Sequence, residues 1–319
     1  MPQGSVLGPK NFNIYANDLL FEFINTDVCN LADDTTPYAC DKSICSLFNR
    51  LENDTLAAII WFENNYMKLN ADKCHLLITG NTEEHQWIKV GDEKIWESSH
   101  EVLLGLTIDN NLKFTKHLKE ICKKASGKVT SLARMVKIIP FQKKRILMKT
   151  FIESLFSYCP LIWMFCTAEM DRKMNHIQER ALRLVYEDYR TPFEELLVND
   201  KSVTIHHRNI QKVAILMFKV KHKLCPNFIQ DIFQSRENTH NTRLNPQFSR
   251  PNVTSVYKGD LSLRSFGPIV WNNMLPEDIK KIVRLTTFKD KVKDWIPTNC
   301  PCKLCKNYIP NLGYVTLSS

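Results

Sequence analysis

The sequence predicts an α+β protein in which a mixed N-terminal third precedes a long helical region. Val28 to Tyr38 carries β-branched and aromatic residues around two aspartates, which predicts a strand, a tight turn and a second strand. Leu51 to Tyr66 places apolar residues at helical spacing and predicts an amphipathic helix packed on a sheet. From Thr115 the apolar residues follow the helical period decisively.

The other N-terminal elements follow from local composition. A loop rich in Gly and Pro over residues 2 to 9 leads into a helix in the stretch from Phe12 to Phe23. Two short apolar runs, Cys74 to Thr79 and Val102 to Ile108, come after the amphipathic helix.

The helix that begins at Thr115 is predicted to bury one stripe and to end at Pro140. The stripe consists of Leu118, Ile121, Cys122, Ala125, Val129, Leu132 and Val136. Helices are expected to continue to about Cys225, and Pro226 to Asn252 predicts a linker or loosely packed loops. Pro276 then starts a short helix, and a last helix presents Phe288, Val292 and Trp295 on one face.

The cysteines and the apolar segments indicate the cellular compartment of the protein. Eleven cysteines in 319 residues is an odd number, and Met1 to Lys10 lacks the apolar core of a signal peptide. We therefore expect reduced cysteines and an intracellular protein, in nucleus or cytoplasm, that is not secreted. The longest apolar run, Leu155 to Ala168, is shorter than a bilayer span, so we expect a core segment and no membrane partner.

The charge is divided unevenly along the chain. Residues 1 to 112 hold 7 basic and 17 acidic side chains, a net charge of −10. Residues 113 to 149 hold 12 basic side chains and one acidic, a net charge of +11. The basic block, with Lys119, Lys123, Lys124 and Lys128, predicts contact with a polyanion. A solvated basic helix face is the alternative.

Asp33 and Asp34 form the sharpest chemical feature. Two adjacent carboxylates at a strand turn can hold Mg²⁺ near a phosphate. Aspartate is also a favoured turn residue, so an exposed turn is the alternative when the pair is considered alone. The sequence has no phosphate-binding Walker loop, no His-Glu-x-x-His and no Gly-x-Ser-x-Gly, which leaves ATPase, zincin and hydrolase functions without motif support.

The order of the surrounding motifs adds a family resemblance. The three leading motifs are Pro2-Gln3-Gly4-Ser5-Val6-Leu7-Gly8-Pro9, Ile14-Tyr15-Ala16-Asn17-Asp18-Leu19 and Leu31-Ala32-Asp33-Asp34-Thr35-Thr36. Together they resemble the heart of a reverse transcriptase, an RNA-directed DNA polymerase, from a non-LTR (LINE-type) retrotransposon. Further motifs extend the resemblance over nearly the whole chain, among them Trp61-Phe62-Glu63-Asn64-Asn65, Leu103-Leu104-Gly105-Leu106-Thr107-Ile108-Asp109 and Trp271-Asn272-Asn273-Met274-Leu275-Pro276.

The resemblance implies a right-hand polymerase that copies an RNA template from a DNA primer with deoxynucleotide triphosphates. It implies a partial palm over residues 1–112, a helical basic thumb over 113–225 and a C-terminal extension with a Cys-rich tail over 226–319. Asp33 matches a catalytic metal ligand for two Mg²⁺ ions, and Asp34 supports the same cluster. Gln3, Gly4 and Lys73 match positions that lie against the template and nucleotide, and Gly105 falls in the hairpin that supports the primer terminus.

Some positions depart from the family pattern. Leu31 stands where an aromatic residue is usual, and Pro37 enters the second strand, where only an edge position tolerates it. The family's third metal-binding carboxylate lies upstream of the Pro-Gln-Gly motif, with which this sequence begins. We therefore expect a C-terminal fragment that is inactive alone. A non-catalytic nucleic-acid-binding protein and a degenerate element product are the alternatives.

Three cysteines near the C-terminus have the spacing of metal ligands. Cys300, Cys302 and Cys305 could supply three of the four ligands that zinc normally takes, and the nearest upstream histidine is His240. Three reduced cysteines in a tail are the alternative.

Overall fold

The chain is described by a computed structural model that covers residues 4–80, 86–235, 247–252, 259, 262–297, 308–309 and 313–314. It divides into two compact units, Met1–Leu112 and Lys113–Ser319. Helices are combined with short antiparallel hairpins, so the α+β class predicted from the sequence is confirmed. The assignment of palm, thumb and extension to segments of the chain stays a prediction.

The N-terminal unit pairs its strands in sequence order, each with its neighbour, as two-stranded antiparallel hairpins. Its elements are α1 (Gly8–Tyr15), β1 (Asp27–Leu31), β2 (Asp34–Tyr38), α2 (Ile44–Asn64), β3 (Trp87–Val90), β4 (Glu93–Trp96), β5 (His100–Leu103) and β6 (Leu106–Asp109). The predicted strand, turn and strand around the aspartates is therefore confirmed as β1 and β2.

Helix α2 holds the N-terminal unit together because it buries residues on two sides. Ala58 and Trp61 pack with Ala16 and Leu19, which lie around the end of α1. Phe48 and Ile59 pack against a second cluster, made by Leu76, Ile88 and Val90. The predicted amphipathic helix thus packs on the β3–β4 hairpin, and it begins earlier than predicted, at Ile44, because Ser43 caps it by accepting a hydrogen bond from the Ser46 N–H.

One buried carboxylate on α2 anchors the start of β1. Asp54 is 2% exposed and accepts hydrogen bonds from the backbone N–H groups of Asn25 and Thr26. The side chains of the same two residues also donate to it, each at 2.7 Å. Burial alone would raise the pKa of Asp54, but the hydrogen bonds from Thr26 and Asn25 outweigh it, and the pKa is lowered.

The C-terminal unit is almost entirely helical in its described residues. Its elements are α3 (Thr115–Met135), α4 (Phe141–Leu147), α5 (Pro160–Trp163), α6 (Ala168–Tyr186), α7 (Phe193–Asp200), α8 (Ile205–Lys221), α9 (Asn227–Gln230), α10 (Leu263–Ile269), α11 (Glu277–Lys280), α12 (Leu285–Asp294), β7 (Tyr308–Ile309) and β8 (Gly313–Tyr314). Across the described ranges, no helix combines the length and apolarity that a membrane crossing requires.

The apolar stripe predicted for α3 is confirmed, since all seven of its residues are buried. The predicted end of the helix at Pro140 is wrong. The carbonyl of Met135 accepts from the N–H groups of Ile138 and Ile139, which closes a turn and ends the helix at Met135. Pro140 instead has an extended backbone and caps the start of α4, a position that suits its missing N–H.

A large hydrophobic core in the C-terminal unit joins α8 to α10–α12. It also contains residues from the predicted linker. Phe233 and Phe248 are buried in this core, so a loose linker is wrong for the described part of that passage. Trp271 is fully buried, and its Nε1 donates to Gln247 at 2.7 Å. Gly267 is required here, because a Cβ would come within 2.7 Å of Met217 and Phe233.

We expect Asp54→Ala to loosen the β1–β2 hairpin. The substitution leaves the backbone N–H and the hydroxyl of the buried Thr26 without an acceptor and removes two hydrogen bonds from the exposed Asn25, at a cost of about 3 kcal/mol. Faster hydrogen exchange of the amides of residues 25–38 would confirm this. Asn53→Ala, an exposed change on the same helix, is the matched control.

The same anchor makes the hairpin sensitive to acid. Because the pKa of Asp54 is lowered in the folded state, its stabilisation is present above the unfolded value of about 4 and is lost as the pH falls through the folded pKa. Exchange protection of residues 25–38 should fall in that range in the wild type and change little in Asp54→Ala. Equal acid sensitivity in both proteins would contradict the role of Asp54.

Candidate functional site

The two adjacent aspartates lie where β1 turns into β2. Leu31 pairs with Asp34, so Ala32 and Asp33 form a two-residue turn. Ala32 has a φ of +56°, a left-handed conformation that glycine usually supplies in such turns. Pro37 pairs with Val28 in the two-stranded hairpin, where each strand has an open edge, so the edge position that Pro37 requires is present.

Both carboxylates of this turn face solvent, since Asp33 and Asp34 are exposed. Their chemistry fits Mg²⁺, which prefers carboxylate oxygens and retains several water ligands. Their number falls short of a full site, because the described part of the chain contains no cluster of three or more acidic, histidine or cysteine residues placed to hold a metal. The turn therefore supplies two carboxylates, which are too few for a complete metal site. The predicted catalytic roles stay predictions.

The other residues matched to the family motif lie at separate places in the same unit. Gly4 has a φ of +85° and open space around it, so the backbone there can approach a ligand closely. Lys73 is exposed at the end of a short 3-10 turn, Ala71–Lys73. Gly105, with a φ of +79°, and Leu104 form the turn between β5 and β6, so the predicted hairpin at Gly105 exists.

Four residues predicted to have roles fall outside the described residues. They are Gln3, predicted to lie against template and nucleotide, and the possible zinc ligands Cys300, Cys302 and Cys305. Their roles stay predictions.

Helix α3 presents a basic face opposite its buried stripe. Its 21 residues extend over about 30 Å. Lys119, Lys123 and Lys124 are exposed, while Lys128 is half-buried with its Nζ 5.7 Å from the centre of the Phe151 ring. Three of the four lysines predicted to contact a polyanion are thus fully available to solvent.

Part of the basic block is neutralised inside the C-terminal unit. The side chain of Asp200 is fully buried and binds Arg145, with an Nε–Oδ1 distance of 2.5 Å, and Lys149, with an Nζ–Oδ2 distance of 3.5 Å. Lys144 forms an ion pair with Glu187. The hydrogen bond to Asp200 raises the pKa of Arg145 above its usual value.

This pairing divides the basic block into two parts. Lys144, Arg145 and Lys149 tie α4 and the turn after it to the ends of α6 and α7, whereas Lys119, Lys123 and Lys124 of α3 are exposed. Sequence reasoning did not separate them, because Asp200 lies 55 residues beyond Arg145 and Glu187 lies 43 residues beyond Lys144. A net charge counted along the chain carries no signal of such distant pairing.

The chain is similar to reverse transcriptases of LINE-type retrotransposons, as its motifs predicted. Over 144 residues it is 28% identical to the RNA-directed DNA polymerase from the mobile element jockey of Drosophila melanogaster. The similarity covers 43% of this chain and 16% of the fly protein, so the chain matches only a small part of that relative's length. No family model matches the chain, and no solved structure matches it.

We expect Asp33 and Asp34 to bind Mg²⁺ only weakly. Two carboxylates from one exposed turn cannot replace many of the waters that Mg²⁺ gives up reluctantly, so a dissociation constant in roughly the millimolar range is expected. Calorimetric titration of Mg²⁺ should show this binding in the wild type and its loss in Asp33→Asn. Asp72→Asn, a change at an exposed aspartate elsewhere in the unit, is the control. Tight binding that survives Asp33→Asn would contradict the prediction.

Proposed function

We propose that the chain contributes part of a LINE-type RNA-directed DNA polymerase, with residues 1–112 as part of the palm and residues 113–225 as a helical thumb. The observation that carries the proposal is the β1–β2 turn, which exposes two adjacent carboxylates on a strand-turn-strand element. The similarity to the fly polymerase supports the same function. The proposed partners are an RNA template, a DNA primer and deoxynucleotide triphosphates.

The roles proposed for the N-terminal residues follow from their positions. Asp33 serves as a metal ligand, and Asp34 supports the same cluster from the first position of β2. Two Mg²⁺ ions, when bound, would activate the primer 3′-hydroxyl and stabilise charge on the leaving pyrophosphate. Gly4 allows the backbone to approach the template and nucleotide, and Lys73 offers a positive charge to phosphate. The turn at Gly105 supports the primer end.

The thumb role rests on the exposed lysines of α3. A rigid helix of about 30 Å with one basic face can contact several phosphates along one side of a duplex. The internal pairing of Lys144, Arg145 and Lys149 fixes the neighbouring helices and leaves Lys119 and Lys123 directed at solvent. Such contacts depend on charge and carry no base sequence preference.

Reversing Lys119 and Lys123 to Glu should weaken binding to an RNA–DNA duplex by at least about tenfold at moderate salt. The slope of log affinity against log salt concentration should become shallower by about two, because two phosphate contacts no longer release counterions. Fluorescence anisotropy over a salt series measures both quantities. The pair Lys289→Glu and Lys293→Glu, exposed on α12, makes the same change in charge at a different place. A wild-type affinity that is independent of salt would contradict the phosphate contacts.

The chain alone is expected not to polymerise DNA. Phosphoryl transfer needs the primer hydroxyl, the nucleotide phosphates and both metals held together, and two carboxylates supply only part of that site. The measurement is primer extension on an RNA template with Mg²⁺ or Mn²⁺. We expect extension only when a polypeptide with the family's upstream fingers and palm strand is added. We expect this extension to be lost in Asp33→Ala.

Two results of the primer-extension assay would contradict this proposal. If the chain alone extends the primer and Asp33→Ala abolishes the extension, an active site assembles without any added segment, and the inactive-fragment proposal is wrong. If the added segment restores extension in wild type and Asp33→Ala alike, the role proposed for Asp33 is wrong.

A further inference from the structure

The outer face of the β3–β4 hairpin has an unusual composition. Side chains alternate between the two faces of a strand, and the register pairs Trp87 with Trp96 and Lys89 with Lys94. These four residues therefore lie on one face, with a tryptophan pair beside a lysine pair. The opposite face carries Ile88, which is buried against the α2 cluster.

The geometry of this face, named here the Trp-Lys face, leaves much of it open to solvent. The ring centres of Trp87 and Trp96 are 6.3 Å apart, and the rings are tilted by 53°. Trp96 is 50% exposed, and Lys89 and Lys94 are exposed. The Nζ of Lys94 lies 4.0 Å from the centre of the Trp87 ring, a cation–π contact that holds the charge beside the aromatic surface.

Within the hairpin, the Trp87–Trp96 ring contact and the cation–π contact of Lys94 stabilise this face, whereas the directly opposed lysines do not. The hairpin attaches to α2 through its inner face and through a hydrogen bond from the Lys89 backbone N–H to the Glu52 carboxylate. Directly opposed like charges such as Lys89 and Lys94 destabilise a hairpin. In the described part of the chain, neither lysine forms an ion pair with a carboxylate, although the unit as a whole is acidic.

We propose that the Trp-Lys face binds single-stranded nucleic acid, with bases stacked on Trp87 and Trp96 and backbone phosphates held between Lys89 and Lys94. Aromatic rings stack on any base, and a positive charge beside them tracks the backbone, which is how single strands are bound without sequence preference. Along each strand the tryptophan and lysine positions are about 7 Å apart, so base and phosphate can be engaged together.

The composition favours a single strand over other polyanions. The bases of a duplex are already stacked on one another and cannot lie on a side-chain ring. An acidic peptide would satisfy the two lysines but has no flat surface to match the tryptophans. The proposal goes beyond the proposed function, since it adds a nucleic-acid contact separate from α3 and from Asp33, and it requires no polymerase activity.

The test measures binding of the full chain to short labelled oligo(dT), with a duplex of equal length as a second probe. Trp96→Leu should weaken oligo(dT) binding by about tenfold, within the range of one base–aromatic stack, and should leave duplex affinity nearly unchanged. Oligo(dT) should also quench tryptophan fluorescence in the wild type and less in Trp96→Leu. Tyr66→Leu, which removes a fully exposed aromatic ring elsewhere in the unit, is the matched control.

A second variant distinguishes a loss of binding from a loss of hairpin folding. Lys89→Gln removes the repulsion from Lys94, so it should keep or increase hairpin stability while it weakens oligo(dT) binding. The salt slope for oligo(dT) should become shallower by about 0.7, the value for one contact to a single strand. Lys68→Gln, at an exposed lysine outside the hairpin, is the control for charge.

The outcomes separate this proposal from the proposed function. Oligo(dT) affinity that is unchanged in both Trp96→Leu and Lys89→Gln overturns the Trp-Lys face as a binding site, even if the α3 variants lose duplex binding as expected. Hairpin variants that lose affinity equally for oligo(dT) and for the duplex also overturn it. Oligoglutamate serves as a third probe for an acidic peptide, and variants that lose affinity only for oligoglutamate overturn the proposal as well. If α3 variants bind the duplex normally while hairpin variants lose oligo(dT), this inference stands and the thumb role fails.

Discussion

The N-terminal unit depends on the attachment of small hairpins to one helix. A two-stranded hairpin alone is marginal in water, because it buries little and leaves both edges unpaired. Asp54 overcomes this for β1–β2 by gathering the donors of Asn25 and Thr26 at the start of β1. Ile59 and Phe48 do the same for β3–β4 through apolar contact. Helix α2 is therefore the common support of the acidic turn and of the Trp-Lys face.

Electrostatics divides the protein into groups that are satisfied internally and groups that face outward. Asp54 and Asp200 are both buried carboxylates, and each is compensated by several donors or cations. Asp33 and Asp34 are exposed carboxylates with room for a cation, and Lys119 is an exposed cation with room for an anion. The cost of desolvation explains this division. A buried charge is stable only when it is paired within the chain, whereas an exposed charge is solvated by water and remains accessible to an external ion.

Periodicity predicted the parts of the fold that bury one face along a continuous segment. The α3 stripe was predicted residue by residue, because a surface helix must repeat its apolar positions every three to four residues. The strand, turn and strand at Asp33 was predicted because aspartate flanked by β-branched residues is typical of a hairpin turn. The end of α3 was predicted too late, because a local turn at Met135 closes the helix before Pro140. The burial of Phe233 and Phe248 was not predicted, since it depends on contacts with distant helices of the unit.

The sequence by itself determined the α+β class, the acidic turn at Asp33 and Asp34, the basic helix and the resemblance to LINE-type reverse transcriptases. Only the tertiary structure decided which charges remain available, because the partners of Arg145 and Lys144 lie 55 and 43 residues away in the chain. It also decided that Trp87 and Lys89 share a face with Trp96 and Lys94. That face depends on strand register, which cross-strand pairing and the turn fix together and which local composition does not reveal.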